Sequence, residues 1–145
     1  MQVIDITEEA KAKPETVHAL LRDGAVWPTC SSLGSFELES EGETERGGVG
    51  AVRIFRTGRY TMRERIVESV PGSRFSYELL SGLALRGYRA EIDLTPLDTG
   101  TRIHWRSTFR PKVPGTGWLY RRTLHRLIKG LVHGLATTAA ARAAQ

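Results

Sequence analysis

The chain has one cysteine, Cys30, so no intrachain disulfide can form, and no Cys/His cluster has the ligand spacing of a zinc site. A reducing, cytoplasmic setting is the expectation. No stretch reaches the about 18 uncharged apolar residues of a membrane-spanning helix, and the opening MQVIDITEEAKAKPE lacks the basic start and apolar run of a signal peptide. Secretion and stable membrane insertion are therefore not expected. Internal repeats, low-complexity tracts and interdomain linkers are also missing, which leaves residues 1–145 to be read as one domain, long enough to bury a core without disulfide or metal staples. An excess of one charge sign is small as well: 21 Lys and Arg against 16 Asp and Glu leave +5, which does not by itself establish an anionic partner.

What is present is a change of period along the chain. Gln2 to Ile6 alternate as a strand, and Pro14 suits the first position of a helix whose apolar stripe is Val17, Leu20 and Leu21, ending near Gly24. Val26, Trp27 and Pro28 read as a second short helical turn. From Ser35 the period is two, in segments near 35–41, 49–57, 60–70, 74–80, 86–96 and 101–110, each bounded by Gly, Pro or Asp. From Thr116 to about Arg142, Tyr120, Leu124, Leu127, Ile128, Leu131 and Leu135 make one helical stripe, with Arg122, Arg126, Lys129 and His133 opposite. The expected fold class is α+β, a curved seven-stranded antiparallel sheet around a long C-terminal helix, with two short helices after the first strand.

Turn chemistry sets the strand register. Gly58-Arg59 suits a two-residue hairpin, which opposes Phe55 to Met62, Arg53 to Glu64 and Ala51 to Ile66 on one face, and Val52 and Ile54 to Arg65 and Arg63 on the other. The first face is assigned inward, since the alternative points Arg63 and Arg65 at the covering helix. A four-residue loop at Val70–Ser73 adds Phe75, Tyr77 and Leu79 to that face, and a loop at Leu97–Gly100 pairs Leu94 with Ile103, Ile92 with Trp105 and Ala90 with Ser107, followed by Tyr88 and Phe109. The inner surface thus gathers Phe55, Met62, Tyr77, Tyr88 and Trp105, with Arg53, Glu64, Ser107 and two phenols as its polar points. That composition fits a ligand pocket and fits a filled core, and the Arg53/Glu64 pair fits a structural clamp and a ligand contact.

Recognisable catalytic motifs are absent. His18, His104, His125 and His133 fall on helices or the outer strand face, with no triad among them; His104 reads as a solvated edge residue and His125 and His133 as part of a solvated helix face. Cys30 reads as a buried small hydrophobe or an inert thiol rather than a nucleophile. Gly47-Gly48-Val49-Gly50 precedes a strand rather than a helix and lacks the lysine and hydroxyl of a phosphate loop, so a hairpin connection is expected. Arg121, Arg122, Arg126 and Lys129 read as a helix face kept soluble by charge, and Gly130 and Gly134 as close-approach points against the sheet.

The order of elements, together with Gly50-Ala51-Val52-Arg53, Arg63-Glu64-Arg65-Ile66-Val67, Phe75-Ser76-Tyr77 and Leu85-Arg86-Gly87-Tyr88-Arg89, resembles the START-like helix-grip superfamily, and within it the polyketide cyclase/dehydrase-like (SRPBCC) branch. The resemblance runs from the first strand to the final helix. It implies a hydrophobic cavity between sheet and long helix that takes lipids, sterols, hormones or polyketide intermediates. Plant abscisic-acid receptors share a similar Gly-x-x-Arg strand, Glu strand and Tyr strand, and the resemblance places Glu64 and Tyr88 at their pocket positions; their pocket lysine has no counterpart in the strand around Phe36, Leu38 and Ser40.

The expectation is therefore binding, and transport, of a small hydrophobic ligand through Arg53, Phe55, Met62, Glu64, Tyr77, Tyr88, Trp105 and Ser107, with no cofactor or metal and a monomer or weak dimer. The alternative within the resemblance is a cyclase, aromatase or dehydratase acting on a poly-β-ketone. There Glu64 would be the acid/base, Tyr88 or Tyr77 the donor to a developing enolate, and Arg53 the charge holder. A third reading is a basic interaction module for anionic membrane or nucleic acid, although no nucleic-acid partner is expected.

Overall fold

The computed structural model describes residues 1–31, 33–43 and 47–144. The chain runs β1 (Gln2–Ala10), α1 (Pro14–Arg22), a 3-10 turn (Gly24–Val26), α2 (Trp27–Cys30), β2 (Ser35–Ser40), β3 (Val52–Thr57), β4 (Tyr60–Val70), β5 (Arg74–Ser81), β6 (Leu85–Leu97), β7 (Gly100–Pro111) and α3 (Gly117–Ala143). The strands form one antiparallel sheet in the order β1-β7-β6-β5-β4-β3-β2. The two short helices and the long one lie where the sequence places them.

Two strands differ from expectation at their ends. β1 continues to Ala10 because Thr7, Glu8, Glu9 and Ala10 still find partners on β7, from His104 to Thr101. Thr7 and Glu9 face outward, and Glu8, on the face of Ile4 and Ile6, reaches His133 of α3, so the ladder is not interrupted. β3 begins at Val52 rather than 49, since the Ala51 N–H bonds to Gly48 O and closes a turn in front of it. Residues 44–46 of the connection expected between β2 and β3 lie outside the described residues.

The registers follow the turn arithmetic. β3 and β4 pair Val52↔Arg65, Arg53↔Glu64, Ile54↔Arg63 and Phe55↔Met62 around Gly58, whose φ of 56° is the left-handed conformation a two-residue hairpin needs. β6 and β7 pair Ala90↔Ser107, Ile92↔Trp105 and Leu94↔Ile103. Between β4 and β5 the turn is one residue shorter than expected, with Val70 opposite Arg74, and a bulge between Ile66 and Glu68 restores the phase. Phe75 and Tyr77 are thereby still buried inside, and Leu79 half-buried.

α3 buries Leu124, Ile128, Leu131, Val132 and Leu135. Its backbone comes close to β1 and β7 and to α1 and α2, and it stands off from β3, β4 and β5. Side chains span that gap. The two α3 glycines differ from their expected role: a Cβ on Gly134 would sit 2.1 Å from Cys30 O, so the close approach is to α2 and not to the sheet, whereas one on Gly130 would meet nothing. Ile54 is buried too, yet on the opposite sheet face, apart from the core cluster.

Candidate functional site

The β3–β4 hairpin places Arg53 and Glu64 side by side on the inner face, both buried. Arg53 Nη2 donates to Glu64 Oε1 at 2.9 Å and Nη1 donates to Leu21 O at 2.7 Å. Leu21 is in the last turn of α1, where carbonyls lack intrahelical partners, so the guanidinium caps that helix and ties it to the sheet. The same cation lies 5.3 Å from the ring centres of Phe55 and of Phe75, in range of cation–π attraction. Its Nε is buried without a partner among the described residues. Burial pushes the Glu64 carboxyl above the usual carboxylate range, opposed by the charge and hydrogen bond of Arg53.

Farther along the inner face a hydrogen-bond chain links four side chains. Trp105 Nε1 donates to Ser107 Oγ at 3.3 Å, Ser107 Oγ lies 3.0 Å from the Tyr88 hydroxyl, and that hydroxyl lies 3.3 Å from the Tyr77 hydroxyl. Indole nitrogen only donates, so Ser107 accepts from Trp105, while in the Ser107–Tyr88 and Tyr88–Tyr77 pairs either hydroxyl can donate. Each hydroxyl in the chain has one proton and further acceptor capacity, and the chain ends at Tyr77, whose one hydrogen-bond partner among the described residues is Tyr88. Burial pushes the Tyr88 phenol up to about 12 and the Tyr77 phenol well above its ordinary value; neighbouring Tyr88 and Glu64 add to the rise at Tyr77. Both are neutral donors at physiological pH.

These groups border a cavity between α3 and the sheet. Its walls are Phe55, Met62, Phe75, Tyr77, Tyr88 and Trp105 from the strands, Leu124, Leu127, Ile128 and Leu131 from α3, and Leu21, Trp27 and Leu33 from the segment between β1 and β2, with Arg53 and Glu64 as its charged pair. Half-buried Leu79, Leu83 and Leu127 mark its more open side. Counting every interstitial gap and the opening to solvent, the empty space is about 610 Å³, but the part that admits the centre of a water-sized sphere is only about 50 Å³, room for a few waters. The cavity is apolar and narrow, and it opens to solvent on one side.

Of the eight residues expected from sequence, seven line this space; Ser107 does not, standing behind Tyr88 as its hydrogen-bond partner. The contribution of Trp27 was not legible, because a Trp-Pro bend carries no periodicity, and Leu83 sits in a turn for the same reason. The histidines fall on helices or the outer strand face as expected, His104 stays partly exposed and His133 exposed, and three of the four also meet a side-chain partner. His18 is buried on α1, with Nε2 3.0 Å from Ser69 Oγ and its ring edge-on to Phe75; the pair does not line the cavity. His104 lies 2.8 Å from Asp5 Oδ1 and His133 lies 2.9 Å from Glu8 Oε1, so each reaches a carboxylate of β1 instead of water alone. Cys30 is half-buried, and burial pushes its thiol up. Among the described residues no group of His, Cys, Asp and Glu is arranged to hold a metal ion.

An open antiparallel sheet closed by one long C-terminal helix over an apolar, sparsely polar cavity defines the START-like class. The chain belongs to the polyketide cyclase / dehydrase and lipid transport family, whose pattern matches residues 1–140. Solved structures agree on the fold: a START superfamily protein from Mycobacterium smegmatis has a TM-score of 0.80 at 13% identity, covering 99% of this chain and 97% of that one. Ara h 8.0201 gives 0.76 at 15% identity, with 97% and 98% covered. The di-domain ARO/CYC StfQ of the steffimycin biosynthetic pathway gives 0.74 at 19% identity over 99% of this chain and 52% of that one. No curated protein matches the chain by sequence.

Proposed function

We propose that the protein binds a small hydrophobic ligand carrying an oxygen, held beneath α3 with its apolar body against the strand aromatics and its oxygen at Tyr77 and Glu64. The observation that supports this most is the Tyr77 hydroxyl, which ends a hydrogen-bond chain with Tyr88 as its one partner among the described residues and lines an apolar cavity together with a carboxylate. A buried phenol with one partner has hydrogen-bonding capacity left for a ligand oxygen. Because the space for atom centres is about 50 Å³, an occupant displaces the first half of α3 from β3–β5, where side chains alone bridge the gap.

Saturable one-to-one displacement of an environment-sensitive dye by fatty acids or polycyclic phenols tests it. Leu79→Trp, which adds bulk at the more open side, should weaken binding at least tenfold while the fold is retained. A wild-type protein that binds neither dye nor competitor, purified without a co-migrating small molecule in native mass spectrometry, would refute the reading.

A second reading, cyclisation or dehydration of a poly-β-ketone, draws on the same geometry. Glu64, its carboxyl raised by burial, serves as proton carrier, and Tyr77 donates to a developing enolate oxygen. Arg53 is committed to Leu21 O and to Glu64, so its part is to hold the carboxylate in place. Turnover of a poly-β-ketone thioester that disappears in Glu64→Gln with binding intact would favour catalysis over binding alone.

A further inference from the structure

The whole net charge of the chain resides on one element. α3 carries Arg121, Arg122, Arg126, Lys129 and Arg142 and no Asp or Glu, so its five cations equal the formal +5 of the protein and the remaining residues balance. Four of the five fall in its first half. Arg121 Nε donates to Val3 O, whereas Arg122, Arg126 and Lys129 have no ion-pair partner among the described residues. On a helical wheel Trp118, Arg122, His125, Arg126 and Lys129 fall on the face opposite the buried Leu124, Ile128 and Leu131.

This basic stripe ends in exposed apolar bulk. Trp118 is 64% exposed, Leu119 50% and Val113 53%, and the Thr116 N–H and hydroxyl both bond to Val113 O, folding that turn against the start of α3. Trp118, Arg121, Arg122, His125 and Arg126 line a surface recess of about 470 Å³. Reading the face as merely solvated accounts for the arginines and leaves Trp118 and Leu119 in water without a reason.

We infer that the first half of α3 is a docking face for anionic lipid bilayers, with Trp118, Leu119 and Val113 entering the headgroup boundary and Arg122, Arg126 and Lys129 meeting lipid phosphates. A tryptophan with two aliphatic side chains at one end of an acid-free basic stripe matches the amphipathic profile of an interface, apolar tip inward and cations at headgroup level. A nucleic-acid backbone would use the cations and leave the aliphatic side chains in water. Contact is peripheral, since no helix of the described residues is long and apolar enough to cross a membrane. The inference does not rest on the cavity reading, because none of these side chains lines the cavity.

Fluorescence and flotation with vesicles of phosphatidylcholine, with and without 30 mol% phosphatidylglycerol in 0.1 M salt, test it. Trp27 and Trp105 are only 3% and 2% exposed, so a blue shift on vesicle addition reports Trp118. The expected result is flotation and a blue shift with the anionic vesicles, and neither with phosphatidylcholine alone. Trp118→Phe should abolish the shift and keep the flotation. Arg122→Ala with Arg126→Ala should weaken binding about thirtyfold, on the order of fivefold per cation, with circular dichroism unchanged. Absence of the shift on anionic vesicles, equal binding to neutral vesicles, or unchanged binding in the double variant would each overturn the assignment. So would tighter binding to a DNA duplex than to anionic vesicles.

Discussion

The β3–β4 hairpin carries arginine–glutamate contacts on both faces, and the two faces differ in what the contacts do. Inside, Arg53 and Glu64 sit against phenylalanine rings and the end of α1. Outside, Arg63 chelates Glu39, Arg65 meets Glu78, and Arg74 of the neighbouring strand meets Glu68, Glu91 and Asp93, all with a third or more of the cation or its partner exposed. The partner types are alike, arginine against carboxylate. Burial separates them: water screens the outer pairs and their loss is cheap, while an inner group that loses its partner stays charged in an apolar setting. Alternation along one strand therefore assigns the same residue type to solubility at one position and to architecture at the next.

The largest effect expected is at Arg53. Arg53→Met leaves Glu64 alone in the interior and Leu21 O uncapped, and should cost about 3–5 kcal/mol at neutral pH in urea denaturation. Arg53 is what lowers the Glu64 carboxyl, so in this variant Glu64 titrates higher still and the loss shrinks on acidification as it takes up a proton. Replacing both, Arg53→Met with Glu64→Leu, should recover much of the stability. A double variant as unstable as Arg53→Met alone would break the comparison.

Next comes Gly134→Ala, where the added methyl meets Cys30 O and must move α2; a loss of about 1–3 kcal/mol is expected. Glu64→Gln should cost about 1–3 kcal/mol, since the amide oxygen still accepts from Arg53 while the charge is lost. The sign of its pH dependence follows from the raised carboxyl. The wild type gains stability from Glu64 below the ordinary glutamate value of about 4.3 and loses that gain as pH rises through the raised folded value. The variant has no such titration, so its deficit should narrow between about pH 4 and neutrality. A deficit that widens instead would mean that Arg53 outweighs burial.

The smallest effects belong to outward positions. Gly130→Ala, in open space on a helix, should stabilise by up to about 1 kcal/mol, and Arg65→Met should cost about 0.2–1 kcal/mol, vanishing in 0.5 M salt. An Arg65 variant as damaging as an Arg53 variant would erase the distinction between the faces.

Much of this was legible before any coordinates. Gly58-Arg59 sets the β3–β4 register, and period two then carries Arg53, Phe55, Met62 and Glu64 inward together. Tyr77 arrived inside by a different route from the one its turn implied, because a shorter turn and a bulge offset each other and no local signal marks Val67 as the extra residue. Contacts between elements distant in sequence were not legible: the cap of Arg53 on Leu21 O, His18 against Ser69, and Gly134 against Cys30 each depend on how helices settle on the sheet. The width of the cavity was hidden for the same reason, since residue lists do not record how far α3 stands from β4.

The contact of Gly134 with Cys30 makes α3 a lever. Seventeen residues separate Gly134 from the first turn at Gly117, about 25 Å of helix at 1.5 Å per residue. Pinned at Gly134, the helix needs a tilt of only about 5° to move its first turn by about 2 Å. Room for an occupant would then come from small rotations about that point, with the largest displacement at Trp118 and the Arg121 bond to Val3 O as the tie that must follow or break.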